Sequence, residues 1–88
     1  MNVLFRSSFQ RDLKRLKNDL ILETVRETIL QVENAAALQD IHNLTKISGY
    51  DGYYRIRIGT HRIGVFVTDD AIEFVRCLAR KDIYRYFP

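Results

Sequence analysis

The sequence predicts an α+β fold in which an N-terminal strand and a two-helix hairpin precede a three- to four-stranded antiparallel sheet. Apolar residues recur at helical spacing in the first part of the chain. After Leu38 they alternate with polar residues, which is the period of a half-buried strand. A chain of 88 residues has room for one hydrophobic core, so we expect a single domain spanning residues 1–88.

The N-terminal segment predicts a short strand followed by a helix. Residues 3–5 are an apolar run, Val-Leu-Phe, of strand length. Ser7 and Gln10 have the three-residue spacing of a capping box, so we expect Ser7 to cap the helix. The apolar stripe that follows has spacings of four, three and four, and consists of Phe9, Leu13, Leu16 and Leu20. We interpret it as a core-facing stripe.

A second helix is predicted after a break at Asn18 and Asp19, both of which are good helix caps. Its apolar face consists of Leu22, Val25, Ile29, Val32 and Ala36. We expect the helix to end between residues 34 and 37 and to pair with the first helix as a hairpin.

Three strands are predicted in the second half of the chain. Residues 53–58 and 62–67 alternate between apolar and other side chains, with a turn at Gly59-Thr60 between them. A turn at residues 69–70 leads to a more continuously apolar strand over residues 72–78. The tail, residues 80–88, is short, basic and aromatic.

The positive charge lies in the C-terminal half of the chain. Residues 1–44 have six basic and six acidic side chains, whereas residues 45–88 have eight and five, which accounts for the net charge of +3. Between Tyr53 and Thr68 there are three arginines and no acid. A basic zone beside tyrosines is typical of a nucleic-acid surface, although basic residues also protect sheet edges.

Several functional classes are excluded by composition. The single cysteine, Cys77, allows no disulfide, and its place in an apolar strand favours a buried small side chain over a nucleophile. His42 and His61 lie 19 residues apart with no acid or cysteine spacing that joins them, so we expect no metal and no cofactor. Residues 1–11 lack a long apolar run, and we expect a cytoplasmic protein with no membrane contact.

Strand geometry points to one candidate site. Arg55 and Arg57 share a sheet face, and Arg62 can join them if the register of the hairpin allows it. A meander also brings the tail that follows Ala79 near this face. Such a cationic, phenol-containing concavity could bind an RNA backbone and stabilise the extra charge of a phosphoryl transition state.

Two segments resemble those of a known family. GYYRIRIGTHRIGVF looks like the strand–turn–strand segment of RelE-type toxins, and LARKDIYRYFP looks like their C-terminal tail. With the opening strand and helical hairpin, the resemblance to the RelE/ParE toxin superfamily covers nearly the whole chain. It implies a toxin of a type II toxin–antitoxin system. The superfamily includes ribosome-dependent messenger-RNA endonucleases of the RelE type and gyrase poisons of the ParE type.

For a RelE-type nuclease the resemblance implies attack of a ribose 2′-hydroxyl on the adjacent phosphate. The positions that match the family's functional residues are Arg55, Arg57, Arg62, Arg80 and Tyr84, with Lys81 and Tyr86 as register alternatives for the last two. Further candidates for RNA contact are Lys46, Lys81, Arg85 and Tyr86. Well-studied members have lysines at the positions of Arg55 and Arg57, and many have histidine at that of Ala79. Arginine, with a pKa above about 12, cannot replace a lysine as general base.

The leading hypothesis is therefore a ribosome-dependent endoribonuclease that cleaves messenger RNA. Its expected partners are a small cognate antitoxin and messenger RNA on the ribosome, with no DNA contact by the toxin alone. Two alternatives are also compatible with the sequence: a ParE-like toxin that inhibits a protein such as DNA gyrase, and an inactive module that binds RNA or protein.

Overall fold

The computed structural model describes all 88 residues as a five-stranded mixed sheet with helices on both faces. The strands are β1 (Asn2–Phe5), β2 (Leu44–Lys46), β3 (Tyr53–Ile58), β4 (His61–Val67) and β5 (Ala71–Ala79). The helices are α1 (Ser7–Arg15), α2 (Asp19–Asn34) and α3 (Arg80–Tyr86), with a 3₁₀ turn at Leu38–Asp40. This confirms the α+β class. None of the helices has the length and apolar character needed to cross a bilayer.

The strand order is β1-β5-β4-β3-β2. Strands β2 to β5 form the predicted antiparallel meander, and β1 joins it as a fifth strand, parallel to β5. Because β1 is short, it pairs with β5 only as far as Phe74. Beyond that point α1 supplies polar partners for the edge: the Ser8 hydroxyl donates to the Val75 carbonyl at 2.6 Å, and the Asp12 carboxylate accepts from the Cys77 N–H at 3.0 Å.

Two hydrophobic clusters lie on opposite faces of the sheet. The larger one packs against α1 and α2, and its buried members are Phe9, Ile21, Val25, Val32, Ile41, Ile56, Ile58, Ile63, Val65, Ile72, Phe74 and Cys77. The smaller one consists of Val75 together with Ile83 and Phe87 from the C-terminal tail. Cys77 is thus a buried core residue, as predicted.

Both predicted helices form, but three details of the predictions are wrong. Ser7 is the first helical residue and not the cap; the cap position is Arg6, whose N–H still pairs with the Phe74 carbonyl as the last rung of the β1–β5 ladder. Leu20 is 81% exposed, because α1 ends at Arg15 and Leu20 belongs to the outer side of α2. Ala36 is exposed, because it lies beyond the end of α2.

The predicted break between the helices is confirmed. The Asn18 side chain caps α2 by accepting a hydrogen bond from the Ile21 N–H at 3.1 Å. The helix ends at Asn34, within the predicted interval.

The β3–β4 hairpin positions the tail as well as the arginines. Its turn includes Gly59 at a φ of +66°, a conformation that glycine adopts without steric cost. Farther along β4, the Phe87 ring packs directly on Gly64, where an added Cβ would lie 2.6 Å from the ring. A glycine is therefore required at position 64 for the tail to lie against the sheet.

Candidate active site

A cationic pocket opens on the sheet face that α3 only partly covers. It has a volume of about 320 Å³, and its lining residues are Asn43, Thr45, Arg55, Arg57, Arg62, Arg80 and Tyr84. We refer to these seven residues as the arginine pocket. They come from the segment that leads into β2, from the β3–β4 hairpin and from α3.

The register of the sheet places the side chains in rows. Arg57 is directly opposite Arg62, and the Asn43 carbonyl accepts a hydrogen bond from the Arg57 N–H at 3.2 Å on the other side. Thr45 is directly opposite Arg55 in the next row. Because directly opposed residues project from the same face of a sheet, these side chains converge. The predicted grouping of Arg55, Arg57 and Arg62 is confirmed.

Helix α3 brings Arg80 and Tyr84 to the same pocket. The Arg80 N–H donates to the Thr60 carbonyl at 2.9 Å, so the helix begins beside the tip of the hairpin. Residues four apart lie on one helix face, and Arg80 and Tyr84 both turn toward the arginines. Ile83 and Phe87 are both buried on the sheet and anchor the helix.

Arg62 is the most constrained of the four arginines. It is only 8% exposed, and its Nη1 donates to the carbonyls of Gly59 and His61, both at 2.8 Å. Burial, followed by the positive charge of Arg80, lowers the pKa of the Arg62 guanidinium. The remaining N–H groups of its planar guanidinium are thus held in one orientation beside other cations.

The positive charge of the pocket has no protein counterion. The ion pairs of the structure, Arg6–Glu73 and Asp12–Arg76, lie elsewhere, and no carboxylate is among the lining residues. The Arg55 guanidinium carbon lies 5.1 Å from the centre of the Tyr84 ring, within the range of a cation–π contact. This arrangement suits an anionic ligand with an aromatic group beside it.

The structure separates the other predicted RNA-contacting residues from the pocket. Lys46 follows Thr45 on β2, and strand alternation directs it to the opposite face. Lys81 lines a neighbouring groove that shares Arg80 and Tyr84 with the pocket. Of the register alternatives for the tail, Arg80 and Tyr84 line the arginine pocket, whereas Lys81 and Tyr86 do not.

Arg85 is exposed and is not among the lining residues of the pocket. Tyr86 lines a different groove, which lies between α1 and the end of β5 and includes His61. Neither side chain therefore contacts the site that the other tail residues form.

His61 and Cys77 are not in the arginine pocket. The His61 ring lies on the other side of the sheet from Arg62, and its Nδ1 is 3.0 Å from the Thr60 hydroxyl. Burial lowers the pKa of His61. Burial raises the pKa of the Cys77 thiol to about 12, because the thiolate is the charged form. No group of three or more histidine, cysteine or acidic side chains is arranged to hold a metal ion.

Sequence reasoning missed two lining residues, Asn43 and Thr45. The alternation pattern did not define β2, which is only three residues long. Asn43 adopts a φ of +62°, and an asparagine just before a strand is a weak signal of such a turn conformation.

Comparisons with known proteins agree with this architecture. The family model described as the ParE toxin of type II toxin–antitoxin system, parDE, matches residues 3–84. Toxin RelE3 of Methanocaldococcus jannaschii is 44% identical over the full length of both chains.

Solved structures of toxins are similar to this chain in fold. The structure of the RelB-RelE antitoxin–toxin complex from Methanococcus jannaschii matches with a TM-score of 0.82 and 41% identity, over 97% of this chain and 99% of the other. The YoeB dimer from Staphylococcus aureus matches with a TM-score of 0.71 over 91% and 97% of the two chains; at 24% identity it supports the fold alone. The chain belongs to the RelE/ParE superfamily and is a RelE-type toxin of a type II toxin–antitoxin system, a class of messenger-RNA-cleaving endoribonucleases.

Proposed function

We propose that the chain acts as a single toxin domain that cleaves messenger RNA on the ribosome, with the arginine pocket as its active site. The observation that supports this most directly is the convergence of four guanidinium groups in one pocket without a carboxylate partner. Such a pocket binds phosphate oxygens bidentately and stabilises charge that develops on them.

The proposed reaction is an internal transesterification. The ribose 2′-oxygen forms a bond to the adjacent phosphorus, and the bond from phosphorus to the 5′-oxygen of the next nucleotide breaks. The 2′-hydroxyl loses its proton to solvent or to a ribosomal group, and the leaving 5′-oxygen takes a proton from solvent or from a ribosomal group. The products are a 2′,3′-cyclic phosphate and a 5′-hydroxyl, so no water molecule is consumed in this step.

The charged and aromatic residues of the pocket have roles that follow from their positions. Arg62, held by two carbonyls, is preorganised to bind a non-bridging phosphate oxygen. Arg57, directly opposite, can bind the second oxygen. Arg80, at the start of α3, lines the same pocket, and we assign it the neutralisation of the leaving 5′-oxygen. The Tyr84 ring, 63% exposed and held by Arg55, offers a stacking surface for a nucleobase.

The pocket has strong electrostatics and weak acid–base chemistry. Its lining includes no lysine, histidine or carboxylate. General acid–base catalysis is typically worth about 10²–10⁴ in rate, so a protein without it depends more on substrate positioning. A ribosome that holds the message in near-attack geometry supplies such positioning.

Lys81 is the one additional candidate that borders the site. Its groove adjoins the arginine pocket through Arg80 and Tyr84, so Lys81 can bind a phosphate of the flanking nucleotide. We assign no part in the cleavage step to Lys46, Arg85 and Tyr86, because none of them lines the arginine pocket.

Primer extension on a reporter message tests the proposal. Induction of the toxin should produce defined cleavage sites within the translated region, and these should disappear when translation of that message is blocked. Growth arrest without any cleaved message would instead indicate inhibition of a protein target, as in ParE-type toxins.

Substitution of Tyr84 distinguishes stacking from proton transfer. If the ring stacks on a base, Tyr84→Phe should keep most of the cleavage, whereas Tyr84→Ala should lose about 1–3 kcal/mol of binding free energy. If the hydroxyl orients the phosphate or transfers a proton, both variants should be equally impaired. Both should melt near the wild-type temperature, because Tyr84 is largely exposed. Full cleavage by a folded Tyr84→Ala protein would remove Tyr84 from the site.

We also propose a tight complex with a small cognate antitoxin, as in the RelB-RelE complex of the 41% identical relative. Two surfaces suit an acidic or amphipathic segment. One is the arginine pocket, and the other is an apolar groove between α1 and α2 whose lining includes Leu13, Ile29 and the exposed Leu30. Co-expression with the antitoxin should restore growth and raise the soluble yield, because the partner stabilises the folded state. A free toxin that is harmless would contradict this.

A further inference from the structure

The arginine pocket is rich in hydrogen-bond donors and poor in acceptors. Guanidinium groups donate only, so the side-chain acceptors of the lining are the Asn43 amide oxygen and the hydroxyls of Thr45 and Tyr84. A ribose 2′-hydroxyl that attacks phosphorus needs an acceptor that holds its hydrogen and directs its oxygen lone pair to the phosphate. One of these three groups is therefore suited to recognise the nucleophile.

Asn43 has the best position of the three. Its carbonyl pairs with the Arg57 N–H, and its Oδ1 lies 3.5 Å from Nη2 of Arg57. The amide oxygen is thus beside a guanidinium that is itself directly opposite Arg62. In a nucleotide the 2′-hydroxyl and the 3′-phosphate are on neighbouring carbons, so its acceptor must lie close to the arginines that bind the phosphate.

The other two acceptors are less well placed. Thr45 lies in the next row, opposite Arg55 and not opposite the Arg57–Arg62 pair. Tyr84 presents its ring face to Arg55, and its ring is mostly exposed. The contact of 3.5 Å from Asn43 to Arg57 is long for a hydrogen bond, so the amide oxygen still has capacity to accept a stronger one.

The backbone at Asn43 allows its side chain to be tested separately. Its φ of +62° is a conformation that glycine adopts more readily than asparagine. Replacement by glycine therefore removes the amide while keeping or improving the fit of the turn. A purely structural asparagine at this position would be replaceable by glycine without loss of activity.

We propose that the Asn43 amide oxygen accepts a hydrogen bond from the 2′-hydroxyl of the nucleotide that is cleaved, and thereby orients the nucleophile and selects RNA over DNA. This rests on the proposed function of the arginine pocket. The proton itself is not transferred to the amide, which is a very weak base; Asn43 holds the hydroxyl while the proton leaves to solvent or to a ribosomal group.

The experiment uses translating ribosomes programmed with a defined message. Single-turnover cleavage gives the maximal rate and the half-saturating toxin concentration. The same message with one 2′-deoxy nucleotide at the cleavage site serves as an uncleavable competitor. The ratio of the affinities for the two messages is the 2′-hydroxyl preference, expected to be about 2–10-fold for the wild type, the value of one neutral hydrogen bond.

Asn43→Gly should lower the maximal rate by about 10–100-fold, because orientation of the nucleophile is lost. Its 2′-hydroxyl preference should fall to one, and its melting temperature should equal or exceed that of the wild type. Asn43→Asp keeps an acceptor and also tolerates positive φ, so it should keep the preference, whereas its negative charge beside Arg57 should weaken the binding of both messages alike. Asn34→Gly, the same change at the exposed end of α2, is the matched control and should cleave normally.

Three results would overturn the inference while the proposed function stands. Asn43→Gly could cleave at the wild-type rate with its preference intact, or could weaken message binding alone with the preference unchanged, which would place its role in the orientation of Arg57. Loss of the preference in Thr45→Ala and not in Asn43→Gly would assign recognition to Thr45. A wild-type protein that cleaves no message would instead refute the proposed function and this inference together.

Discussion

Replacement of Arg62 by alanine should lower the rate of message cleavage by about 10²–10³-fold, the usual loss when a preorganised donor to a developing anion is removed. Arg62 is 8% exposed and held by two backbone carbonyls, so its free N–H groups need no reorganisation to meet a phosphate. Arg62→Lys should recover little of this rate, because an ammonium cannot reproduce the bidentate fork.

Stability measurements separate this effect from misfolding. The two carbonyls that Arg62 contacts belong to the turn and can be solvated, so Arg62→Ala should cost only about 1–2 kcal/mol of folding free energy. Arg11→Ala, the same change on the exposed side of α1, is the matched control and should leave cleavage unaltered. If a folded Arg62→Ala protein arrests growth as the wild type does, Arg62 is not part of the catalytic site.

Replacement of Asp12 by alanine should destabilise the fold by about 3–5 kcal/mol, the range for breaking a buried ion pair from one side. The Asp12 carboxylate is 6% exposed and accepts from Nε of Arg76 at 2.8 Å and from Nη2 of the same residue at 3.1 Å. It also accepts from the Cys77 N–H on the unpaired part of β5. The substitution thus leaves both a cation and a backbone donor without a partner.

Chemical denaturation measures the loss, and two comparisons interpret it. Glu73→Ala breaks the more exposed pair with Arg6 and should cost at most about 1 kcal/mol. The double replacement Asp12→Leu and Arg76→Met removes both charges and should recover part of the stability lost in Asp12→Ala. A loss in Asp12→Ala no greater than that in Glu73→Ala would show that the pair does not hold α1 to β5.

Local sequence patterns were sufficient for the order and type of most elements. The 3.6-residue period of α2, its Asn18 cap and the alternation of β3 and β4 each depend on neighbours within a few positions, and each is confirmed. The same alternation placed Arg55 and Arg57 on one face, and the register of the hairpin, which pairs Arg57 with Arg62, adds Arg62 to them. Such local rules fail where two elements meet. Ser7 matched a capping box, but Arg6, whose N–H still takes part in strand pairing, occupies the cap position, so the helix begins at Ser7, one residue earlier than a Ser7 cap would require.

By itself, therefore, the sequence determined the α+β class, the helical and strand periods, and the shared face of Arg55 and Arg57, all of which depend on short-range periodicity. Only the tertiary structure decided that β1 lies parallel to β5, that α3 presents Arg80 and Tyr84 rather than their register alternatives, and that Asn43 borders the pocket. It also revealed the Asp12–Arg76 pair, whose members are 64 residues apart. These features depend on strand register and on packing between distant segments, such as Phe87 on Gly64. A short-range sequence pattern shows which face a residue occupies, but it does not show which residue from a distant segment will pack against it.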